Sequence, residues 1–233
     1  MLTLPKKFTG NEQHSVAAAE AIDYINEYRL HAGPEAVPGG FIDKGAIQAL
    51  VQQPEAVGFR YYHGCKDNGL PVLVFVGTNS RRDDLIDGEP VKVSILRPPL
   101  NDRGMYDFTK ANHAISLVEA ARLTANYRRS KAPRQPIGGF FGKAAVQNLL
   151  DQPGTVGIRF YFGLNKDGID VMVMLGINQF GSEMFYGLIL ELSALCPPLC
   201  GNSNLLNSGL HIQEELKVLL EYAEADTHSR MAA

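Results

Sequence analysis

The sequence predicts an α+β fold built from two related halves. Three observations predict it: a long ungapped internal repeat, the same order of helical and strand patterns in both copies, and short turn motifs between strands. Residues 14–100 align with residues 113–199 at a constant offset of 99, and 31 of the 87 aligned positions are identical. Because this period is much longer than that of a solenoid repeat, each copy can form its own helix-and-sheet unit.

The clearest part of the repeat runs from Gly39 to Tyr62 and again from Gly138 to Tyr161. Each copy contains Gly-Gly-Phe, then Lys, Gln-Pro and Val-Gly-x-Arg-x-Tyr. In the first copy we expect a turn at residues 38–40, because Pro-Gly-Gly is turn punctuation. A short helix over about 43–52 and a strand over 56–62 should follow, since the apolar period changes from helical to alternating.

The other elements follow from the same patterns. The further predicted helices are 12–31, 109–129 and 142–151, and the further predicted strands are 70–76, 91–96, 155–162, 169–177 and 185–192. Hairpin turns at residues 66–69 and 166–168 connect neighbouring strands, so each sheet should be an antiparallel meander. The long first helix of each copy should cover one sheet face.

These elements give the domain organisation. We expect a first α-α-β-β-β unit over residues 11–104, a second over 105–208 and a closing helix over 209–225, all in one body with a pseudo-twofold relationship. The closing helix begins where the first helix of a third copy would begin. We therefore expect it to cover the surface that, on the first unit, the first helix of the second unit covers.

Composition limits the classes of partner. The net charge is −3 and the sequence has no extended basic region, so a nucleic-acid partner is not expected. No apolar run reaches the length of a membrane span, and residues 1–7 do not resemble a secretory signal. Three cysteines, an odd number, favour a reducing compartment. Together these observations predict a cytoplasmic protein without a membrane partner.

The segment Gly138–Lys143 is a candidate anion site, because backbone N–H groups at a helix start can hold an anion that a lysine also reaches. Lys44 is the counterpart of Lys143 in the first copy. A phosphate loop has four residues between its glycines and Ser or Thr after the lysine, whereas Ala144 follows here. The spacing therefore favours a glycine turn that places Phe140 in the core, and no cofactor is predicted.

An arginine and a tyrosine two residues apart on the predicted strand recur in both copies, as Arg60 with Tyr62 and Arg159 with Tyr161. Such a pair could bind a carboxylate or phosphate through a bidentate guanidinium. The favoured interpretation is a structural ion pair, because a buried arginine needs a partner. The expected partners are the two acids at equivalent positions, Glu20 and Glu119.

The cysteines allow three arrangements. His63, Cys65, Cys196 and Cys200 could together bind zinc, and Cys196 and Cys200 could instead form a local disulfide. The repeat has no ligand residues at the counterpart positions, so free thiols are the favoured interpretation.

Two other polar groups are weaker candidates. Asp83, Asp84 and Asp87 could bind a cation, but they lack the carboxylate spacing of a calcium loop. His14 and His113 lie on an apolar stripe and are expected to be core residues, because no nucleophile motif accompanies them.

One further pattern carries a resemblance. Residues 152–163, Cys-Pro-Pro-Leu-Cys-Gly at 196–201 and Asn-Leu-Leu-Asn at 204–207 resemble segments of a set of uncharacterised bacterial proteins. The resemblance covers mainly the second copy. It implies a bacterial origin and brings no activity or site residue with it.

The leading functional hypothesis is a non-enzymatic binding or scaffold module, with a ligand, protein partner or second copy in the groove between the halves. No acid, base and nucleophile converge in the sequence. The alternative is an enzyme or binding protein for a small anionic ligand. It would use the basic residues that recur in both copies, Lys44, Lys143, Arg60 and Arg159.

Overall fold

The computed structural model describes residues 7–87, 91–96, 101, 103, 106–130 and 135–208. These residues form four α-helices and nine strands in two antiparallel sheets, which confirms the α+β prediction. The helices are α1 (Ala18–Ala32), α2 (Lys44–Val51), α3 (Leu117–Ser130) and α4 (Lys143–Leu150). The strands are β1 (Gly39–Asp43), β2 (Ala56–Cys65), β3 (Pro71–Asn79), β4 (Lys92–Val93), β5 (Gly138–Gly142), β6 (Thr155–Leu164), β7 (Asp170–Asn178), β8 (Ile189–Leu190) and β9 (Ala194–Cys196).

The two halves exchange a strand. β1 joins the second half in the sheet β1-β6-β7-β8, and β5 joins the first half in the sheet β4-β3-β2-β5-β9. The 99-residue offset also relates the two registers, because Gly39 lies opposite Tyr161 and Gly138 lies opposite Tyr62. The antiparallel meander of each half is present. The sheet of the second half gains β1, and the sheet of the first half gains β5 and β9, none of which the sequence patterns predicted.

The turn predicted at residues 38–40 is wrong, because Gly39 begins a strand. Gly39 and its counterpart Gly138 allow each exchanged strand to lie close to the backbone of its neighbour. A Cβ on Gly39 would lie 2.0 Å from the carbonyl oxygen of Phe160, and a Cβ on Gly138 would lie 2.0 Å from that of Tyr61. Real side chains do not tolerate such distances, so the repeated glycines are required for strand exchange.

The main core lies between the two sheets and draws on both halves. Phe59, Tyr61 and Phe75 come from one sheet, and Phe160 and Phe162 come from the other. The short helices α2 and α4 also contribute to this core through Ile47, Leu50, Val51, Val146, Leu149 and Leu150. Because the cluster is continuous across the halves, burial of its apolar surface stabilises both together.

The long helices cover the outer sheet faces, also in exchanged fashion. α3 packs on β2 and β3 of the first half, as expected, through a cluster that includes Ala120 and Leu123. α1 packs on β6 and β7 of the second half, through Ala21 and Ile25. The surface that the closing helix was expected to cover is thus occupied by α1. The predicted closing helix itself, over 209–225, lies outside the described residues.

Both long helices begin later than predicted, because the residues before them pair with strands. Ser15 forms a bridge with Leu190, and Ala114 forms one with Lys92. The boundaries of α2, α4, β2, β3, β6 and β7 agree with the sequence patterns to within a few residues, and Gly69 and Gly168 of the predicted hairpin turns have positive φ. The strands predicted over 91–96 and 185–192 are reduced to Lys92–Val93 and Ile189–Leu190. Among the described helices, none is long and apolar enough to cross a membrane.

Candidate functional site

The Arg–Tyr pair of the first half is part of a closed polar cluster around Asp84. Arg60 donates from Nη1 to Asp84 Oδ1 at 2.5 Å, and the Tyr62 hydroxyl donates to Asp84 Oδ2 at 2.6 Å. The side chains of Arg60 and Asp84 are both 0% exposed. Further bonds come from the second half: Arg60 donates to the Leu199 carbonyl at 3.1 Å, and Asn204 donates to Asp84 at 2.8 Å. The guanidinium is therefore neutralised inside the fold.

The electrostatics of this cluster agree with a structural role. Burial by itself would lower the pKa of Arg60, but the charge of Asp84 and the contact with Tyr62 more than offset burial, and the pKa is raised. Burial and the neighbouring carboxylate also raise the pKa of Tyr62. The Arg60 guanidinium thus keeps its charge inside the fold, where it is not available to an external ligand.

The second half repeats the cluster in a more open form. Glu183, the counterpart of Asp84, accepts a hydrogen bond from the Tyr161 hydroxyl, and its Oε1 lies 3.6 Å from Nε of Arg159. Arg159 also donates to the Leu96 carbonyl at 3.4 Å. Its side chain is 13% exposed, so this pair is closer to solvent than the first.

The prediction that Glu20 and Glu119 pair with the two strand arginines was wrong. Glu20 accepts the hydroxyl of Tyr24, and Glu119 is bonded by Arg122 at 2.6 and 2.7 Å. The sequence contained the correct signal, because positions 84 and 183 are both acidic at the 99-residue offset.

The candidate anion site at the helix starts is already occupied by protein groups. The Asp43 carboxylate caps α2 by accepting the Ala46 N–H at 2.8 Å. At α4 the Ala144 N–H donates to the Gly10 carbonyl at 2.9 Å. Lys44 donates to the carbonyl of Leu150 at 2.5 Å. Its counterpart Lys143 is half-buried at the start of α4.

The cysteine arrangement differs from the favoured one. Cys196 and Cys200 form a disulfide, with Cα atoms 4.7 Å apart, so the free-thiol interpretation was wrong for this pair. Cys65 is the one free cysteine of the chain. Within the described part of the chain, no group of three or more His, Cys, Asp or Glu residues is arranged to hold a metal ion. The four residues considered for zinc therefore do not converge.

The two repeated histidines attach the exchanged strands to their neighbours. His14 Nε2 accepts the Gly142 N–H at 2.9 Å, and its Nδ1 lies 2.6 Å from the Leu192 carbonyl oxygen. His113 accepts the Asp43 N–H at 3.2 Å and contacts the Val93 carbonyl at 2.8 Å. His113, Asp43 and Val93 are the 99-residue counterparts of His14, Gly142 and Leu192, so the two histidines make equivalent contacts. The histidines therefore serve the fold, as predicted.

A cavity of about 310 Å³ lies between the two halves. Residues from both halves line it, and aromatic rings form much of its wall. These include Tyr28, His63, Tyr127 and Phe162, together with Cys65 and Asp170. The His63 and Tyr127 rings are stacked with centroids 4.9 Å apart, and the Tyr127 hydroxyl donates to Asp170 at 3.2 Å.

The polar residues of this cavity lie where the two copies differ. His63 corresponds to Phe162, Cys65 to Leu164 and Asp170 to Pro71. The tyrosines, by contrast, are identical in the two copies, since Tyr28 corresponds to Tyr127. The cavity thus has tyrosines that the two copies share and one imidazole, one thiol and one carboxylate that they do not share. Sequence reasoning named His63 and Cys65 but missed Tyr127 and Asp170, which only the tertiary structure brings to them.

Comparisons with protein-family models, with curated proteins and with solved structures found no match to this chain.

Proposed function

We propose that this protein is a non-enzymatic binding module whose ligand occupies the cavity between the two halves. The observation that supports this most directly is the position of the cavity. Both halves line it, and its polar side chains stand at positions where the copies have diverged in residue type. A mostly apolar cavity with a few converging polar groups is the usual form of a small-molecule site.

The chemistry of the lining suggests the ligand. Its volume of about 310 Å³ is at the small end of the range for such sites. The Tyr28, Tyr127 and Phe162 rings favour a flat apolar body, and His63 and Asp170 add polar atoms to the lining. We therefore propose a small aromatic ligand with one or two hydrogen-bonding groups. No catalytic step is proposed.

Cys65 provides a direct test, because this free thiol lines the cavity. A ligand-observed NMR screen of small aromatic fragments would identify binders, and each binder should slow alkylation of Cys65 by a small thiol reagent. The variant His63→Phe places the residue of the other copy at this position and should weaken binding with little loss of stability. Binders that neither protect Cys65 nor respond to His63→Phe would show that the cavity is not the site.

The alternative, a small anionic ligand held by Lys44, Lys143, Arg60 and Arg159, has less support. Arg60 is paired with Asp84, Arg159 lies beside Glu183, and Lys44 donates to a backbone carbonyl. Titration with inorganic phosphate tests it. Saturable binding that is lost in Lys143→Ala would favour the anionic ligand over the aromatic one.

The cytoplasmic location and bacterial origin stay predictions. The disulfide bears on the first, because such bonds persist mainly in oxidising compartments. Alkylation of Cys196 and Cys200 in intact cells would indicate a reducing compartment, and protection of both would indicate an oxidising one. A protein partner or homodimer likewise stays a proposal, which sedimentation analysis of the purified chain would test.

A further inference from the structure

A second and larger cleft lies on the first half, away from the cavity between the halves. Its volume is about 840 Å³. One wall is the end of α2 with the residues after it, and the other is the loop that follows β3. The lining residues that carry polar side chains are Gln52, Gln53, Glu55, Asn79, Arg81, Asp83, Asp84 and Asp87.

The loop after β3 has a fixed frame that both halves share. The Asn79 side-chain oxygen accepts the N–H groups of Arg81 and Asp83 at 2.9 and 3.0 Å. Asn178 accepts those of Phe180 and Ser182 at the same distances. The two loops therefore start from one backbone conformation and differ in the side chains that they display.

The two loops differ in their contacts with an equivalent glutamine, which is Gln53 in the first half and Gln152 in the second. In the second half the loop lies on Gln152: Leu188 N–H donates to Gln152 Oε1 at 2.7 Å, and Gln152 Nε2 donates to the Leu149 carbonyl at 3.0 Å. In the first half Gln53 lines the open cleft instead. Gln53 is only 9% exposed, and its Nε2 has no hydrogen-bond partner among the described residues. A buried amide donor without a partner is destabilising, so a ligand acceptor at this position would recover stability.

The charge of the cleft is negative. Asp84 is neutralised by Arg60, which leaves Glu55, Asp83 and Asp87 as carboxylates of the lining. Arg81 is the one cationic side chain among the lining residues. It is 72% exposed, and its Nε lies 3.5 Å from Asp83. The lining thus contains three carboxylates and one exposed guanidinium, which lies beside Asp83 alone of the three.

We propose that this acidic cleft is a binding site for a protonated amine or guanidinium group, with Gln53 donating to an oxygen of the same ligand. The carboxylates are spread along the walls and form no metal-type cluster within the described chain, which suits an elongated organic cation. The counterpart loop of the second half carries Phe180, Ser182 and Tyr186 where the first carries Arg81, Asp83 and Asp87. The site therefore belongs to the first half alone.

Two probes distinguish a free amine from a side chain of a peptide. Agmatine carries a guanidinium and an amine without a carbonyl group, and acetyl-arginine amide carries the guanidinium with carbonyl acceptors. Calorimetric titration of the full chain at low salt should show saturable binding of at least one probe. Gln53→Ala should weaken acetyl-arginine amide more than agmatine, because agmatine has no oxygen that could accept from Gln53; equal weakening of both would contradict the role of Gln53.

A matched pair of double variants separates the cleft from general attraction to an acidic protein. Glu55→Gln with Asp87→Asn removes two charges from the cleft, and Asp23→Asn with Glu27→Gln removes two exposed charges from α1. We expect the first pair to weaken binding by about tenfold and the second to change it by less than about twofold. Arg81→Ala, which removes the resident cation, should strengthen binding. Equal weakening by both double variants, or no saturable binding of either probe, would overturn the proposal.

Discussion

The imidazole of His14 accepts the backbone N–H of Gly142, a residue 128 positions later in the chain, at 2.9 Å. This bond joins the segment before α1 to the last residue of the exchanged strand β5. A ring nitrogen that accepts a hydrogen bond carries no proton, so Nε2 must be unprotonated. The proton of the neutral ring is then on Nδ1, which donates to the Leu192 carbonyl. The strand exchange therefore depends in part on the protonation state of one histidine.

Stability should depend on pH through His14. Burial lowers the pKa of His14 below its ordinary 6.5, against smaller opposing effects of the Leu192 carbonyl and Glu12. The unfolded state then binds the proton first as pH falls, so the contribution is complete above pH 6.5 and is lost as pH falls through the folded pKa. His14→Leu should cost about 1–3 kcal/mol at pH 8 and less at pH 5. Urea unfolding across this range would measure it, and a pH-independent difference would contradict it.

Glu191 should make the protein less stable as pH rises, which is the opposite of the effect of His14. Burial, with a smaller effect of Glu20, raises the pKa of Glu191 to about 7 from 4.5. A raised pKa means that stability falls as pH rises from 4.5 to about 7, because the folded state must then hold a buried carboxylate. Glu191→Gln should therefore be more stable than the parent above pH 7, by about 3 kcal/mol, and equal to it near pH 4.5. Destabilisation at pH 8 would refute this account.

The buried ion pair of the first half should be sensitive to loss of one partner. Asp84→Ala leaves the Arg60 guanidinium buried without its carboxylate and should cost about 3–5 kcal/mol in unfolding free energy. The matched control is Glu183→Ala, in the partly exposed pair of the second half, where we expect a loss of about 1 kcal/mol. Similar losses at the two positions would mean that burial does not set the cost.

The glycines of the exchanged strands should not accept a side chain. Gly138→Ala places a Cβ 2.0 Å from the Tyr61 carbonyl oxygen and should cost about 3 kcal/mol or more. Gly45→Ala is the control, since the nearest atom there is a side-chain oxygen of Asp43 at 3.1 Å. It should change stability by less than about 1 kcal/mol. Circular dichroism and urea unfolding would compare them, and a well-tolerated Gly138→Ala would rule out the strand pairing described.

The disulfide should contribute modest stability. It closes a short loop between residues four positions apart, which corresponds to about 2 kcal/mol in the chain-entropy account. Reduction should lower the urea midpoint of the parent but leave that of Cys196→Ser/Cys200→Ser unchanged. Intact mass before and after reduction would count the bond, and a parent mass with three free thiols would exclude it.

Much of the fold follows from local patterns. The Lys66–Gly69 and Lys166–Gly168 turns, the helices α2 and α4 and the strands β2 and β6 all lie close to where the periodicity placed them. The Gly-Gly-Phe stretch was misassigned because Pro-Gly-Gly is a turn signal locally. Its glycines are needed for a contact with a strand about one hundred residues away, and no local pattern reports such a contact.

The candidate site divides in the same way. His63 and Cys65 were named from the sequence as possible zinc ligands, and their counterparts Phe162 and Leu164 counted against that role. Tyr127 and Asp170 were not recognised, since they reach the cavity from α3 and the start of β7. The acid that pairs with Arg60 was sought on a helix, whereas the loop after β3 supplies it.

The sequence by itself determined the repeat, the α+β class and the positions of the short helices and the central strands, because hydrophobic period, turn residues and helix caps act over a few neighbouring positions. The tertiary structure alone decided which half each strand and long helix joins, which carboxylate neutralises each arginine, and which side chains meet in the cavity and the acidic cleft. The physical reason is that two copies with the same pattern of apolar faces can pair within themselves or with each other. Close contacts such as Gly39 with Tyr161 and His14 with Gly142 select the exchanged arrangement.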